Sequence, residues 1–188
     1  MGSGYVFVTV WRVPARPAEV VAVLADVASL PRWWPAVYLA VHPMPAVGDR
    51  RSVEMVTKGW LPYTLRWTST VDGPLDEAGF AVTASGDLAG TGRWTFVADG
   101  PDTVVTYDWR VTATKPLLRR VGWLLRPAFA ANHRWAMARG EESLRLELQR
   151  RRAADPAAVA AVAEPPGPTF RRRPGARATS RTRRRAPR

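Results

Sequence analysis

Between residues 37 and 112 the sequence alternates between large apolar side chains and polar side chains with a period of two. Such alternation is typical of strands with one buried face, and it constrains the fold more than any other feature of the chain. In one segment Tyr63 and Trp67 share a face, and in a later one Tyr107 and Trp109 do so. The alternation therefore predicts a sheet whose inner face is lined by rings and whose outer face is polar.

Turn signals divide this region into short segments. The runs VGD, KGWLP, DGPLDEAG and DGPD carry the glycine, proline and aspartate that favour turns. Short connections between consecutive strands imply antiparallel hairpins. Six strands are predicted here, at residues 37–42, 50–57, 63–71, 79–85, 92–98 and 103–112.

Before this region the sequence predicts a first strand and two short helices. Residues 5–12, YVFVTVWR, are β-branched and aromatic without a breaker, which is typical of a strand. Pro17 suits a first helical position, and apolar residues follow it at helical spacing up to about Ser29. A second short helix or turn is predicted over residues 30–34, between two prolines.

After residue 114 the period returns to that of a helix. A helix is predicted to start at Pro116, and Pro127 is expected to kink or break it. From there to Arg152 one stripe carries small, apolar and aromatic residues, with Arg139, Glu142, Arg145 and Glu147 largely off it. The predicted fold is α+β: a curved antiparallel sheet of about seven strands around a long C-terminal helix.

The last part of the chain has a different composition. Twelve of the 28 basic residues and two acidic residues lie from Arg150 onward, which leaves 16 basic and 14 acidic residues, a net charge of +2, in residues 1–149. Arginine, proline and alanine dominate, so little apolar surface is available to offset the entropy of ordering. One folded domain is predicted over residues 1–152 and a disordered basic tail over residues 153–188.

Several classes of function are excluded or left unsupported. The chain has no cysteine, so disulfides, thiolate metal sites and cysteine nucleophiles are excluded. No apolar run is long enough for a membrane span, and the N-terminus lacks a secretory pattern, so a cytoplasmic location is expected. No nucleotide-binding or metal-ligand motif is present, and neither cofactor nor metal is predicted.

The order of predicted elements, together with VPARPAEVVAVLADVASLPRWWP, resembles the START-like, Bet v 1-like superfamily (SRPBCC). It is most similar to the bacterial polyketide cyclase/dehydrase and lipid-transport branch, in which an Asp precedes a Pro-x-Trp-x-Pro-like segment, here Asp26 and residues 31–35. The strand TYDWRV and the helix NHRWAMARGEESL add to the resemblance. It covers residues 5–150 and implies a helix-grip fold with a hydrophobic cavity between sheet and long helix.

The candidate ligand-binding residues come from the inner face of the sheet, the long helix and the run SLPRWWPA. Simple core packing is the alternative role for each of them, because a filled core shows the same alternation. In SLPRWWPA, adjacent helical residues point about 100° apart, so one indole is expected inside and the other near the surface. The candidates are Trp33, Trp34, Met55, Tyr63, Trp67, Trp94, Tyr107, Trp109, Phe129, His133 and Met137.

Catalysis has one weak candidate, His133, which lies on the apolar stripe of the predicted helix. A histidine there is either a hydrogen-bonded core residue or a general acid/base. Nothing in the sequence identifies a group that would orient it, and the catalytic residues stay unknown.

These observations lead to three hypotheses for the function. The first is binding of a hydrophobic or aromatic small molecule, such as a lipid, quinone or polyketide, in an internal cavity. The alternative is an enzyme of the polyketide cyclase or dehydratase type. A further alternative is that the basic tail contacts nucleic acid or anionic lipid. The sequence indicates neither the ligand nor the oligomeric state.

Overall fold

The computed structural model describes residues 4–47, 50–114 and 126–169, and in these ranges seven strands form one antiparallel sheet. The strand order across the sheet is β1-β7-β6-β5-β4-β3-β2, so every neighbour except the β1–β7 pair is joined through a hairpin. The strands are β1 (Tyr5–Val13), β2 (Tyr38–Pro43), β3 (Ser52–Lys58), β4 (Thr64–Asp72), β5 (Gly79–Gly86), β6 (Leu88–Asp99) and β7 (Asp102–Ala113). The helices are α1 (Pro17–Leu24), α2 (Leu30–Trp33), α3 (Arg126–Arg152) and α4 (Pro156–Ala161).

The predicted helix-grip architecture is confirmed. The sheet curves around the long helix α3, and the short helices α1 and α2 follow the first strand as predicted. In the register of β6 and β7, Trp94 lies opposite Tyr107, and Gly92 lies opposite Trp109. All three rings are buried, as the alternation predicts for the face turned toward the helices.

The end of α1 differs from the prediction. The helix begins at Pro17 as expected but ends at Leu24, and a single 3-10 turn over Val27–Ser29 leads into α2. Ser29 Oγ donates a hydrogen bond to the carbonyl of Asp26 at 2.8 Å. The chain leaves the helix at Asp26, whose φ of −79° and ψ of 67° are not helical, and the Ser29 bond stabilises the 3-10 turn that follows.

The described part of helix α3 runs from Arg126 to Arg152 and includes Pro127. The helix predicted to start at Pro116 falls on residues 115–125, which lie outside the described residues.

The carboxyl end of α3 is held to α1 and α2 by buried charge. The Glu147 side chain is only 1% exposed, which corrects the expectation that it lies off the buried stripe. Arg32 donates two hydrogen bonds to it, at 2.8 and 2.7 Å, and Arg151 donates a third at 2.9 Å. A buried carboxylate needs such partners, and here they come from the arginine of SLPRWWPA and from the next turn of α3. Arg151 also contacts Asp26.

Part of the segment predicted to be disordered is ordered. Helix α4 lies within residues 153–169, and Asp155 caps it by accepting a hydrogen bond from the amide of Ala158 at 2.8 Å. The alanines of this stretch are strong helix formers. The prediction of disorder considered the arginine and proline content and did not take helix propensity into account. The Arg-rich run that begins at residue 171 lies outside the described residues. No described helix combines the length and hydropathy of a membrane span.

Candidate functional site

Both tryptophans of SLPRWWPA are buried, which corrects the expectation that one would lie near the surface. Trp33 is 0% exposed and Trp34 is 2% exposed. Trp34 is the C-cap of α2, with φ −126° and ψ 52°, so the helical rotation of 100° between neighbours does not apply to it. Its ring lies against α3 at Gly140, where an added Cβ would stand only 2.3 Å from the indole. The pair therefore fills the space between the short helices, the sheet and α3.

Stacked aromatic rings fill the middle of the space between the sheet and the helices. Trp94 and Tyr107 stack with ring centroids 4.0 Å apart, and Tyr107 stacks in turn on Trp109 at 5.5 Å. Trp11 bridges this stack to the short helices, with centroids 5.4 Å from Trp94 and 5.8 Å from Trp34. The interior is therefore not one large container, because its centre is occupied by aromatic side chains.

A small gap remains beside this stack, with a volume of about 50 Å³. That volume is far below the roughly 300–1,000 Å³ of ordinary ligand sites. Five of the predicted binding residues line it: Trp34, Met55, Trp67, Trp94 and Tyr107. Trp33 and Met137 lie in the packed core and line neither this gap nor the cavity described next.

A second space, called here the ring cavity, lies under the first half of α3. Its volume is about 130 Å³. Many of its walls are half-buried side chains, so the cavity reaches solvent. Four predicted residues meet in it: Tyr63, Trp109, Phe129 and His133. The other lining residues are Tyr5, Phe7, Val37, Thr57, Lys58, Gly59, Leu65, Leu88, Val111, Ala113, Asn132 and Ala136.

His133 is placed by contacts with the first strand. Its ring stacks on Phe7 with centroids 4.2 Å apart and an interplanar angle of 15°. Its Nε2 lies 3.3 Å from Thr9 Oγ1, within hydrogen-bond distance. Burial lowers the pKa of His133 from 6.5 to about 4, because the cationic ring loses hydration there. The histidine is therefore neutral at pH 7 and offers the cavity a polar, uncharged edge.

The mouth of the ring cavity is fixed by the loop between β3 and β4. Asn132 Oδ1 accepts a hydrogen bond from the amide of Leu61 at 3.2 Å, which ties this loop to α3. Gly59 permits the approach, since a Cβ there would stand 2.0 Å from Asn132 Oδ1. Tyr63 follows in the same loop, and burial raises its pKa to about 12, so its hydroxyl stays protonated.

Sequence reasoning missed the other twelve lining residues, among them Tyr5, Phe7 and Asn132. Tyr5 and Phe7 lie on β1 with the same parity as the buried Trp11, so the alternation that identified the other rings also marks these two. Asn132 gave no such signal, because its partner is a backbone amide 71 residues away.

The cavity is mostly apolar, and apart from Lys58 its polar side chains are neutral. Among the described residues, no carboxylate lines it, and the group within hydrogen-bond distance of His133 is the hydroxyl of Thr9. In the described ranges no three His, Asp or Glu side chains cluster as a metal site would require.

The first testable expectation concerns His133. A pH titration of its ring protons by NMR is expected to give a midpoint near pH 4, with the signal assigned by its loss in His133→Gln. The folded pKa of His133 is lower than the unfolded value of 6.5. The contribution of the neutral ring to the stability of the fold is therefore complete above pH 6.5 and is lost as the pH falls toward 4. Thr9→Val should leave the midpoint low, because burial is the cause. A midpoint near 6.5 would contradict the geometry described.

Comparison with known proteins places the chain among proteins of this architecture. Residues 13–134 match the family described as polyketide cyclase / dehydrase and lipid transport. No curated protein sequence matches significantly.

Three solved structures illustrate the shared fold. The Zhui aromatase/cyclase from Streptomyces sp. R1128 has a TM-score of 0.64 at 19% identity, covering 81% of this chain and 98% of that one. TTHA0849 from Thermus thermophilus has a TM-score of 0.63 at 17% identity, covering 79% and 99%. A START superfamily protein from Mycobacterium smegmatis has a TM-score of 0.51 at 16% identity, covering 71% and 98%. At these identities the likeness shows a common fold.

Proposed function

Because this chain belongs to the polyketide cyclase/dehydrase and lipid transport family, we propose that it binds a small aromatic or apolar group in the ring cavity. The observation that carries the proposal is the cavity itself, a space of about 130 Å³ bounded by Phe7, Tyr63, Trp109, Phe129 and His133. Family membership supports hydrophobic ligand binding or a cyclase role, and the geometry favours binding.

The volume limits the ligand. A dry apolar cavity of about 150 Å³ accepts benzene. The ring cavity at about 130 Å³ is close to that size, so it holds one ring or a short apolar segment. A lipid, quinone or polyketide of larger size enters by such an end, with the rest of the molecule passing through the mouth.

The polar groups favour a neutral ligand with one hydroxyl or carbonyl. The uncharged His133 lines the cavity, and the hydroxyl of Thr9, which does not line it, lies 3.3 Å from the His133 Nε2. A ring hydroxyl that bonds to His133 replaces a hydrogen bond to water with one to the protein, which adds about 0.5–1.5 kcal/mol. Lys58 also lines the cavity, so a carbonyl near the mouth has a cation within the same space.

The second candidate is a cyclase or dehydratase, and the observation in its favour is that His133 faces the space a substrate would enter. A general acid/base at neutral pH works best with a pKa near 7, whereas that of His133 is about 4. Its hydrogen-bond partner is a threonine, which does not titrate. Binding without chemistry is therefore the stronger proposal.

Phenol and toluene test the proposal as probes of similar size. Both are expected to bind the wild-type protein in calorimetric titrations, with phenol up to about tenfold tighter because it alone has a hydroxyl that can bond to His133. Ala136→Trp, which fills the cavity from α3, is expected to abolish binding of both. Ala138→Trp lies on the exposed face of the same helix and serves as the matched control. Equal binding to wild type and to folded Ala136→Trp would contradict the proposal.

The tail is proposed to act separately from the cavity. The run of arginines after residue 170 offers transient electrostatic attraction to nucleic acid or anionic lipid in the cytoplasm. Binding to a duplex oligonucleotide or to anionic vesicles is expected to fall steeply with salt and to vanish on deletion of residues 170–188. Binding that survives the deletion would reject this role.

A further inference from the structure

A second groove lies at the end of the sheet opposite the ring cavity, between the end of α1 and the strands β3, β4 and β5. Its volume is about 610 Å³, within the roughly 300–1,000 Å³ of sites for organic ligands. This feature, called here the arginine groove, is lined by Leu24, Ala25, Val27, Arg50, Arg51, Val53, Ser69, Val71, Asp72, Gly73, Leu75, Phe80 and Val82.

The floor of the arginine groove is apolar. Val53 and Val71 are half-buried on adjacent strands, and Leu75, in the hairpin that follows β4, is 41% exposed. Leu24 and Phe80 form the buried depth of the groove. The inner side of the sheet is therefore left partly uncovered here, because α1 ends at Leu24 and the 3-10 turn does not reach the hairpin.

The rim carries two exposed cations. Arg50 and Arg51 both line the groove, and neither has a carboxylate partner among residues 4–47, 50–114 and 126–169. One acidic residue, Asp72, also lines it, and its carboxylate accepts a hydrogen bond from the hydroxyl of Thr83. The two arginines thus face an apolar channel with their charge uncompensated by an ion pair.

The groove adjoins the gap in the core. Its depth shares five lining residues with the 50 Å³ gap beside the stacked rings: Leu24, Val27, Ser69, Phe80 and Val82. The far wall of that gap is formed by Met55, Trp67 and Trp94. An apolar chain that enters at the arginines therefore lies along Val53, Val71 and Leu75 and reaches Phe80 at the bottom of the groove.

We propose that the arginine groove binds an amphipathic carboxylate, with its alkyl chain on the apolar floor and its carboxylate between Arg50 and Arg51. A carboxylate matches the paired N–H donors of a guanidinium. The alkyl chain is stabilised because it buries apolar surface of the exposed leucine and the half-buried valines. The site lies at the opposite end of the sheet from the ring cavity and shares no lining residue with it. Binding at the two sites can therefore be tested independently.

Decanoate and decan-1-ol, which share a chain and differ in charge, are the probes for calorimetry. Decanoate is expected to bind about tenfold tighter than the alcohol. The double variant Arg50→Gln/Arg51→Gln is expected to weaken decanoate binding about tenfold and to leave decan-1-ol unchanged. The matched control is Arg66→Gln/Arg93→Gln, which removes the same charge from two exposed side chains on the outer face of the sheet. High salt is expected to act like the arginine substitutions.

A steric variant separates this site from the ring cavity. Val71→Phe narrows the arginine groove and is expected to weaken both decyl probes while phenol binding persists. Ala136→Trp is expected to do the reverse. The proposal is overturned if the two arginine double variants bind decanoate equally, or if Ala136→Trp abolishes decanoate binding while folded Val71→Phe retains it.

Discussion

Replacing Trp34 by alanine is expected to lower the free energy of unfolding by about 3 kcal/mol, near the lower end of the usual range for loss of a buried tryptophan. The indole packs against Gly140 of α3 and lies with its ring centroid 5.8 Å from that of Trp11 and 5.1 Å from that of Tyr38. Its loss leaves a void at the point where α2, the sheet and α3 meet. Part of the cost is relieved, because the Trp34 Nε1 group is buried without a hydrogen-bond partner in the described part of the chain. Chemical denaturation measures the change.

A double-mutant cycle with Gly140 tests whether this contact is the cause. In the wild type, Gly140→Ala is expected to destabilise by about 1–2 kcal/mol, because a Cβ placed 2.3 Å from the Trp34 ring forces repacking. In the Trp34→Ala background the same substitution is expected to stabilise by up to about 1 kcal/mol, since only the helix propensity of alanine remains. Additive effects of the two substitutions would show that the ring does not pack against Gly140.

The second large effect is expected at Glu147, where replacement by glutamine should lower the free energy of unfolding by about 2 kcal/mol. The carboxylate is 1% exposed and accepts hydrogen bonds from Arg32 and Arg151. Removing one partner of a fully buried ion pair costs about 3–5 kcal/mol. The effect here is smaller because Arg32 is 58% exposed and turns toward water when the charge is lost. Glu142→Gln, which loses an exposed contact with Arg139, is the control and should change stability by less than about 1 kcal/mol.

The same carboxylate is expected to contribute to acid sensitivity. Burial raises the pKa of Glu147, but the hydrogen bonds and charges of Arg32 and Arg151 lower it by a larger amount. The folded pKa of Glu147 is therefore below 4.5. Hydrogen bonds from Arg152 lower the pKa of Glu19 to about 2. Both groups therefore stabilise the fold above pH 4.5, and this stability is lost as the pH falls through their folded values. A urea midpoint that falls as steeply with acid in Glu147→Gln as in the wild type would argue against this role.

The fold was largely predictable because it depends on periodicity. Residues such as Tyr107 and Trp109 alternate with Thr106 and Asp108 in the sequence and do so in β7, so the strands and their hairpins followed directly. The boundaries between helices were less predictable. The early end of α1 depends on the non-helical backbone of a single residue, Asp26, which the helical spacing of the apolar residues does not indicate.

The site was harder to predict because alternation identifies which rings face inward but not how they fill the space between sheet and helix. Trp94, Tyr107 and Trp109 all face inward, yet the first two stack and fill the centre, and the ring cavity lies beyond them, beside Trp109. That outcome depends on side-chain rotamers. The link between Arg32 and Glu147 was missed for a related reason, since it joins residues 115 positions apart whose pairing no local pattern encodes.

The central claim is that the ring cavity admits a guest. Intermolecular nuclear Overhauser effects between phenol and the assigned side chains of the wild-type protein test it most directly. We expect contacts from the phenol ring to Trp109, Phe129 and His133, the walls of the cavity. Contacts confined to surface residues, or none at saturating phenol, would contradict the account.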